Sequence, residues 1–170
     1  CAGVVGAIQD NNIGISGVAP NCKIMSISLS MYYSMPISYY ATAINWAWKH
    51  GADILSNSYH IPTPSNYVNN AIDSALQHGR NGLGCPILFA SGNNNSSSIN
   101  YPASLANTIA VGAMSPCGER KNPNSCDGES WGSNYGSGLD VVAPGVLIPT
   151  TTINNGYNLS FNGTSSACPH

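Results

Sequence analysis

Charged side chains are scarce in this sequence, and their scarcity excludes several classes of partner. Lysine, arginine, aspartate and glutamate make up 7% of the 170 residues, whereas about a quarter is usual. The formal net charge is −2 and no basic cluster occurs, so neither nucleic acid nor an anionic membrane surface is an expected partner. No uninterrupted apolar run approaches the roughly 20 residues that a membrane span needs.

Motifs of several other protein classes are missing as well. There is no Gly-x-Ser-x-Gly elbow, no P-loop and no Gly-x-Gly-x-x-Gly after a strand, which disfavours other α/β hydrolases and nucleotide-binding domains. None of the six cysteines forms a Cys-x-x-Cys pair, so a structural zinc site is not expected. Six cysteines do favour an oxidising compartment.

Helix-like and strand-like segments alternate along the chain. Apolar residues at helical spacing predict helices through residues 41–50 and 67–78, each ended by a glycine. Apolar runs predict strands at residues 23–29, 53–58, 86–90, 108–112, 139–142 and 146–151. This alternation indicates an α/β fold with a doubly wound, mostly parallel sheet and helices on both faces, where ligands lie beyond the carboxyl ends of the strands.

The last ten residues carry the clearest chemical pattern. Asn162-Gly163-Thr164-Ser165 leads into small residues that begin a compact helix. A serine in the first turn of a helix lies beside unpaired backbone N–H groups and the positive end of the helix dipole, which favours an alkoxide and a neighbouring oxyanion. Taken alone, the same residues could also be a capped helix start without any chemistry.

Asn-Gly-Thr-Ser-x-Ala-x-Pro-His resembles the nucleophile motif of the subtilisin-like serine proteases, and the resemblance runs through nearly the whole chain in the family's order. It implies a serine endopeptidase in which Ser165 is the nucleophile and an acyl-enzyme forms. Phe89-Ala90-Ser91-Gly92-Asn93 is similar to the segment that ends in the family's oxyanion asparagine. The resemblance further implies that Thr164 supports Asn93, although an asparagine alone could be only a turn former.

Both ends of the sequence resemble interrupted active-site motifs. Cys1-Ala2-Gly3 is similar to the end of the family's His-Gly-Thr-x-Cys-Ala-Gly helix, whose catalytic histidine would lie four residues before Cys1. The other end stops inside the serine helix. We therefore expect residues 1–170 to be part of one subtilisin-like catalytic domain, incomplete at both ends and almost inactive alone, with the catalytic aspartate and histidine upstream. Four histidines are not expected to be the general base: His50, His60, His78 and His170.

The resemblance implies two walls and a floor for the primary specificity pocket, formed by Ser58, Tyr59, His60, Ala90, Ser91, Gly92 and Asn100. The chain departs from the family at His60, where glycine is usual, and at Asn100, where a small residue is common. We therefore expect a narrower or more polar pocket. The apolar loop of residues 30–38 either lines the non-primed side of the substrate or packs as core; its members are Met31, Tyr32, Tyr33, Met35 and Pro36.

The loop of residues 7–20 resembles a calcium-binding loop of the family. Asn11 matches the side-chain ligand, and the carbonyl donors are matched by Gln9, Ile13 and Ile15. Oxygen ligands on a flexible loop suit this hard cation. The alternative is an asparagine-rich turn without a metal. The chemistry itself requires no cofactor, so calcium would be structural.

Cysteine positions and the family together suggest where the protein works. Cys117 and Cys126 bracket a Pro- and Asn-rich excursion that a disulfide could close, with a gain of roughly 2–3 kcal/mol in the chain-entropy model. Cys1 and Cys168 are expected to be packing residues. We expect a secreted or extracytoplasmic monomer whose partner is a polypeptide substrate. A non-catalytic pseudo-protease or peptide-binding domain of the same fold remains the alternative.

Overall fold

Helices and parallel strands alternate in the computed structural model, which describes residues 1–29 and 35–170. The elements in chain order are α1 (Ala2–Gly6), α2 (Ile37–Lys49), β1 (Leu55–Asn57), α3 (Asn66–Gly82), β2 (Ile87–Ala90), β3 (Ile109–Met114), β4 (Val141–Pro144), β5 (Ile148–Thr151), β6 (Tyr157–Phe161) and α4 (Thr164–Ala167). Met31, Tyr32 and Tyr33 of the predicted apolar loop lie outside the described residues. Met35 is half-buried and Pro36 is exposed.

Strands β1 to β4 form one parallel sheet in that order. Asn57 of β1 pairs with Phe89 of β2, Phe89 pairs with Ala110 of β3, and Val111 pairs with Val141 of β4. The carboxyl ends of β1 and β2 therefore lie side by side at one edge of the sheet. The predicted α/β fold with a mostly parallel sheet is confirmed.

Strands β2 and β3 contribute side chains to two cores, because successive side chains of a strand point to opposite faces. Phe89 and Ile87 pack on the face that α2 and α3 cover. Ala90, the next residue along β2, packs instead in a second core with Ala167 and Cys168 of the α4 segment. Helices on both faces thus follow directly from the uninterrupted apolar runs of the strands.

The two long helices form where the apolar spacing predicts them. Helix α2 buries Ala41, Ile44 and Ala47 and ends at Lys49. Helix α3 loses helical geometry at Gly79, whose ψ is 156°, so the predicted glycine stop is confirmed. No helix in the described part of the chain is long and apolar enough to cross a membrane.

The prediction of a buried strand at residues 23–29 is wrong. These residues form no strand, and three of their large apolar side chains, Ile24, Met25 and Ile27, are exposed. A strand exists through hydrogen bonds to a neighbour, and within the described residues β1 pairs only with β2. Apolar composition alone therefore did not specify a strand here.

An antiparallel pair of strands, β5 and β6, precedes the serine motif. The predicted strand at residues 146–151 is confirmed as β5. Strand β6 was not predicted, because residues 157–160 are polar or exposed and lack the apolar run of a buried strand. The pair matters for the site because β6 ends at Phe161, directly before Asn162-Gly163-Thr164-Ser165.

A disulfide joins Cys117 and Cys126, as the sequence suggested. Lys121, inside this excursion, forms an ion pair at 3.0 Å with Asp127, which directly follows Cys126, and both side chains are fully buried. The ammonium of Lys121 also donates to the carbonyls of Asn122 and Glu129, each at 2.7 Å. Burial alone would raise the pKa of Asp127, but hydrogen bonds from the Glu129 N–H and from Lys121, with the positive charge of Lys121, hold it below its usual value.

Candidate active site

Ser165 lies in a four-residue helix that begins at a glycine turn. Gly163 has φ 111° and ψ 167°, a conformation that favours glycine, and its N–H donates to the carbonyl of Gly145 at 2.9 Å. Because α4 is so short, its dipole is small. The local donor is instead the backbone N–H of Ser165, which none of the described hydrogen bonds uses.

The turn before Gly163 is fixed by the side chain of Asn162. Its Oδ1 accepts a hydrogen bond from the N–H of Leu147 at 2.6 Å, and its Nδ2 donates to Glu129 Oε1 at 2.9 Å. Both groups of the amide are therefore engaged. The chain therefore enters α4 from a position that is held by the residue before β5 and by the segment that follows the disulfide.

The side chain of Ser165 contacts the end of β1. Its hydroxyl donates to the carbonyl of Ser58 at 3.3 Å, and the hydroxyl of Ser58 donates to the carbonyl of Ser165 at 2.9 Å. The thiol of Cys1 donates to Ser58 Oγ at 3.3 Å and to the Ser165 carbonyl at 3.5 Å. Ser165 therefore sits between the carboxyl end of β1 and the first residue before α1.

Asn93 is held next to Ser165 by Thr164. Asn93 Oδ1 accepts from the Thr164 N–H at 2.8 Å and from the Thr164 hydroxyl at 2.9 Å. The Thr164 hydroxyl also accepts from the N–H of Gly92 at 3.2 Å. With its oxygen fixed in this way, the exposed Asn93 presents Nδ2, which has no hydrogen-bond partner among the described residues.

The two free donors approach each other beside Gly163. A Cβ placed on Gly163 would lie 3.2 Å from Asn93 Nδ2 and 3.5 Å from the backbone nitrogen of Ser165. A glycine at this position therefore keeps open the space that both donors border. Two N–H donors beside a serine hydroxyl are the arrangement that binds the oxyanion of a tetrahedral intermediate.

Ser58, Tyr59 and His60, the residues predicted for one wall of the pocket, directly follow β1. Ser58 contacts Ser165, and His60 is exposed. The ring of Tyr59 packs against Tyr40 and Phe89, with centroids 5.1 and 5.6 Å away, and burial raises the pKa of its hydroxyl. The structure therefore brings Ser58 to Ser165 and turns the ring of Tyr59 into the core.

The second predicted wall continues from the end of β2. Ala90, Ser91 and Gly92 are all buried. The N–H of Asn100 donates to the carbonyl of Ser91 at 3.0 Å, and a Cβ on Gly92 (φ 112°) would collide with the side-chain nitrogens of Asn100 and Asn134. Two amide groups therefore lie beneath this turn. The sequence pattern did not identify Asn134, whose side-chain hydrogen bonds are all with residues distant in sequence.

The predicted calcium loop offers oxygen atoms but no cluster of charged ligands. Asn11 Oδ1 accepts from the N–H of Ile13 at 3.0 Å, which leaves one lone-pair direction of that oxygen. No described hydrogen bond ends on the carbonyls of Gln9, Ile13 or Ile15. Within the described residues, no three His, Cys, Asp or Glu side chains converge on a common point. The donor set that remains is neutral oxygen, which fits Ca²⁺ and not Zn²⁺.

Two of the four histidines bond to their own helices. His50 Nδ1 lies 2.7 Å from the carbonyl of Trp46, and His170 Nδ1 lies 2.9 Å from the carbonyl of Ser166. His78 lies near the ring of Trp48, with centroids 6.1 Å apart. No described hydrogen bond joins any of these imidazoles to the hydroxyl of Ser165.

Comparisons with known proteins identify the family to which this chain is similar. The whole chain, residues 1–170, matches the family model described as Subtilase family. An alkaline protease of Alkalihalobacillus alcalophilus is 37% identical over 170 residues, covering 99% of this chain and 40% of the relative. Subtilisin Savinase of Lederbergia lenta is 36% identical, covering 99% of this chain and 57% of the relative. This chain therefore spans between 40% and 57% of the length of these curated relatives.

Among solved structures, the prenylagaramide maturation protease PagA has a similar fold. The TM-score is 0.78 at 25% sequence identity, and the match covers 99% of this chain and 58% of that chain.

Proposed function

This chain belongs to the subtilase family, and we propose that it supplies the nucleophile and the oxyanion donors of a serine endopeptidase. One observation carries the proposal: Thr164 joins Asn93 to the helix of Ser165, and the free amide of Asn93 and the free N–H of Ser165 border the same space. A helix start that is only capped does not require a side-chain amide from a distant part of the chain at that position.

The proposed reaction proceeds through an acyl-enzyme. Ser165 Oγ attacks the carbonyl carbon of the scissile peptide bond while a histidine takes the hydroxyl proton. The carbonyl oxygen becomes an oxyanion that receives hydrogen bonds from Asn93 Nδ2 and the Ser165 N–H. The histidine then gives its proton to the leaving amine, and water hydrolyses the ester. Thr164 acts by holding Asn93.

The general base and the aspartate that orients it are proposed to precede Cys1. Support comes from the contacts of Cys1, whose thiol lies 3.3 Å from Ser58 Oγ and 3.5 Å from the carbonyl of Ser165. A helix that continues α1 backwards by one turn would start beside the nucleophile. A histidine four residues before Cys1 would lie on the same face of that helix as Cys1.

The proposed substrate is a polypeptide, bound between the two walls described above. Ser58 and His60 would contribute from the end of β1, and Ser91 and Gly92 from the end of β2, with Asn100 beneath them. Strand ends at this edge of a doubly wound sheet are where such folds bind ligands. The disulfide and the family together support a secreted protein, which would act as a monomer.

We further propose that the loop of residues 7–15 binds a structural calcium ion. Asn11 Oδ1 and the carbonyls of Gln9, Ile13 and Ile15 would be its ligands, since these oxygens are not consumed by described hydrogen bonds apart from the one turn contact of Asn11. The ion would fix the loop and would take no part in the chemistry.

Labelling with a fluorophosphonate tests the catalytic proposal. In the full-length protein that carries this chain, the probe should label Ser165 and abolish peptidase activity, because only an activated serine reacts with it. Ser165→Ala should remove both the label and the activity. Ser104→Ala, which alters an exposed serine, should change neither. Labelling or peptide cleavage that survives Ser165→Ala would contradict the role of Ser165, and a wild type with neither labelling nor cleavage would favour a non-catalytic domain.

A further inference from the structure

We infer that Asn134 is a positioning residue that keeps the loop of Asn93 in the conformation needed to donate to the oxyanion. The inference rests on the proposed function, because it assumes that Asn93 is the oxyanion donor. Asn134 lies 41 positions further along the chain, in the segment between the disulfide-closed excursion and β4.

The side chain of Asn134 is fully buried and makes four hydrogen bonds. Its Oδ1 accepts from the N–H groups of Asn94 and Ser96, at 2.9 and 3.1 Å. Its Nδ2 donates to the carbonyl of Ser91 at 3.1 Å and to Asn100 Oδ1 at 3.3 Å. These four bonds use the two donors and both acceptor directions of a carboxamide, so no other side chain of this size satisfies the same set.

These contacts enclose Asn93 on both sides. Ser91 precedes it by two residues and Asn94 follows it, and the backbone N–H of Asn134 also donates to the carbonyl of Gly92 at 2.9 Å. Asn93 itself is exposed and is held only through Oδ1, by Thr164. The direction of Nδ2 therefore depends on the backbone on either side, and the amide of Asn134 bonds that backbone both before and after Asn93.

The loop would not keep this shape by local preference. Gly92 has φ 112° and Asn95 has φ 53°, both in the left-handed region. No described helix or strand includes residues 91–98. A buried, fully satisfied amide is rigid, because breaking any of its bonds leaves a polar group without a partner in a low-dielectric interior.

Arg120 provides a second contact to the same loop that allows an independent test. Its Nη1 donates to Asn95 Oδ1 at 2.9 Å and to the carbonyl of Ser133 at 2.7 Å, and its guanidinium lies over the ring of Tyr135 at 4.4 Å. This contact is near the surface and reaches the loop two residues beyond Asn93. Removal of the Arg120 side chain should therefore lower kcat less than removal of the Asn134 side chain does.

A double-mutant cycle in the full-length protein separates a positioning role from a general structural one. Asn134→Ser should lower kcat about 10- to 100-fold with little change in KM, since misplacing a catalytic group by about 1 Å costs that much. In the Asn93→Ala background, the same substitution should lower kcat by less than about threefold, because the donor that Asn134 positions is already gone. Asn107→Leu, which alters an exposed asparagine, is the matched control and should leave kcat unchanged.

Each outcome of the cycle decides a different question. An unchanged kcat in Asn134→Ser, or an equal loss in the Asn93→Ala background, would overturn the inference and make Asn134 merely structural. An unchanged kcat in Asn93→Ala alone would contradict the oxyanion role in the proposed function, and the inference would fail with it. Should Asn134→Ser not fold, Arg120→Met in the same cycle decides, with an expected loss of about threefold that disappears in the Asn93→Ala background.

Discussion

Two asparagine-rich loops of similar composition are held in opposite ways. Residues 93–98 read Asn-Asn-Asn-Ser-Ser-Ser, and residues 9–12 read Gln-Asp-Asn-Asn. The first loop is bonded to Asn134, Thr164 and Arg120, all at least 25 positions away in sequence. In the second, the one described side-chain bond joins Asn11 to Ile13, two residues further on.

The difference shows that composition does not decide how precisely a loop is placed. A loop fixed by distant, buried partners has one geometry before any ligand arrives, which suits an oxyanion donor. A loop bonded only to itself keeps free carbonyl groups and reaches a single geometry when a ligand such as Ca²⁺ gathers them. Asparagine serves both purposes because it both donates and accepts and because it tolerates positive φ.

Removing the buried charge of Asp127, in the segment that leads to Asn134, should have the largest effect on stability. Asp127→Asn leaves the ammonium of Lys121 buried without its counter-charge, so the free energy of unfolding should fall by about 3–5 kcal/mol. Chemical denaturation of the full-length protein measures this. Hydrogen exchange should rise at the amides of Asn94 and Ser96 and remain unchanged at the amide of Ile13. Equal protection of both loops in the variant would remove the proposed difference between them.

An exposed ion pair provides the control for this variant. Arg80 and Asp53 lie 3.7 Å apart with side chains 38% and 82% exposed, so Asp53→Asn should cost at most about 1 kcal/mol. The pH dependence gives a second check. Because the pKa of Asp127 is lowered by folding, its contribution is present above the unfolded value of about 3.9 and is lost as the pH falls through the lower folded value. Asp127→Asn should abolish that acid-dependent loss.

Thr164→Val tests the contact of Thr164 with Asn93 in the first loop. Its effect, measured as a loss of kcat, should be intermediate among these variants. Valine keeps the shape of the threonine but loses the bonds from the hydroxyl to Asn93 Oδ1 and from the Gly92 N–H. Since the Thr164 N–H still bonds Asn93, kcat should fall about tenfold, the effect of about 1.4 kcal/mol. Thr42→Val, on the exposed face of α2, should leave kcat unchanged. Wild-type turnover in Thr164→Val would show that the backbone bond alone positions Asn93.

Asn11→Ala tests the second loop and should have the smallest effect. If calcium gathers this loop, the variant should melt about 2–4 °C below the wild type in Ca²⁺, because it loses one ligand worth about 1 kcal/mol. The difference should shrink when a chelator removes the ion. Asn21→Ala, at another exposed asparagine, is the control. Identical melting temperatures of the wild type with and without chelator would leave the loop as a plain turn.

Local patterns predict the helices and most of the parallel sheet. The spacing of Ala41, Ile44 and Ala47 marks the buried face of α2, and the glycine at position 79 marks the end of regular helix in α3. These signals are local because a helix closes its hydrogen bonds within one turn. The run at residues 23–29 is different, because a strand depends on a neighbour that its own sequence does not specify.

The candidate site likewise contains residues that a local pattern predicts and one residue that no local pattern predicts. Ser165, Thr164 and Asn93 could be proposed from the sequence because each belongs to a short motif. Asn134 carries no such motif: its four side-chain bonds span between 34 and 43 positions of the chain. No periodicity marks such a contact, and only the folded structure reveals it.

The engaged side chain of Asn162 has a consequence for how the protein is produced. Asn162-Gly163-Thr164 is an acceptor sequence for N-linked glycans, which are attached through the asparagine amide nitrogen. In the folded chain that nitrogen bonds Glu129, and Thr164 is buried. A eukaryotic secretory host that glycosylates the nascent chain at this position would place a sugar where the amide of Asn162 must contact Glu129, three residues before Ser165. Expression in a host without this modification avoids that loss.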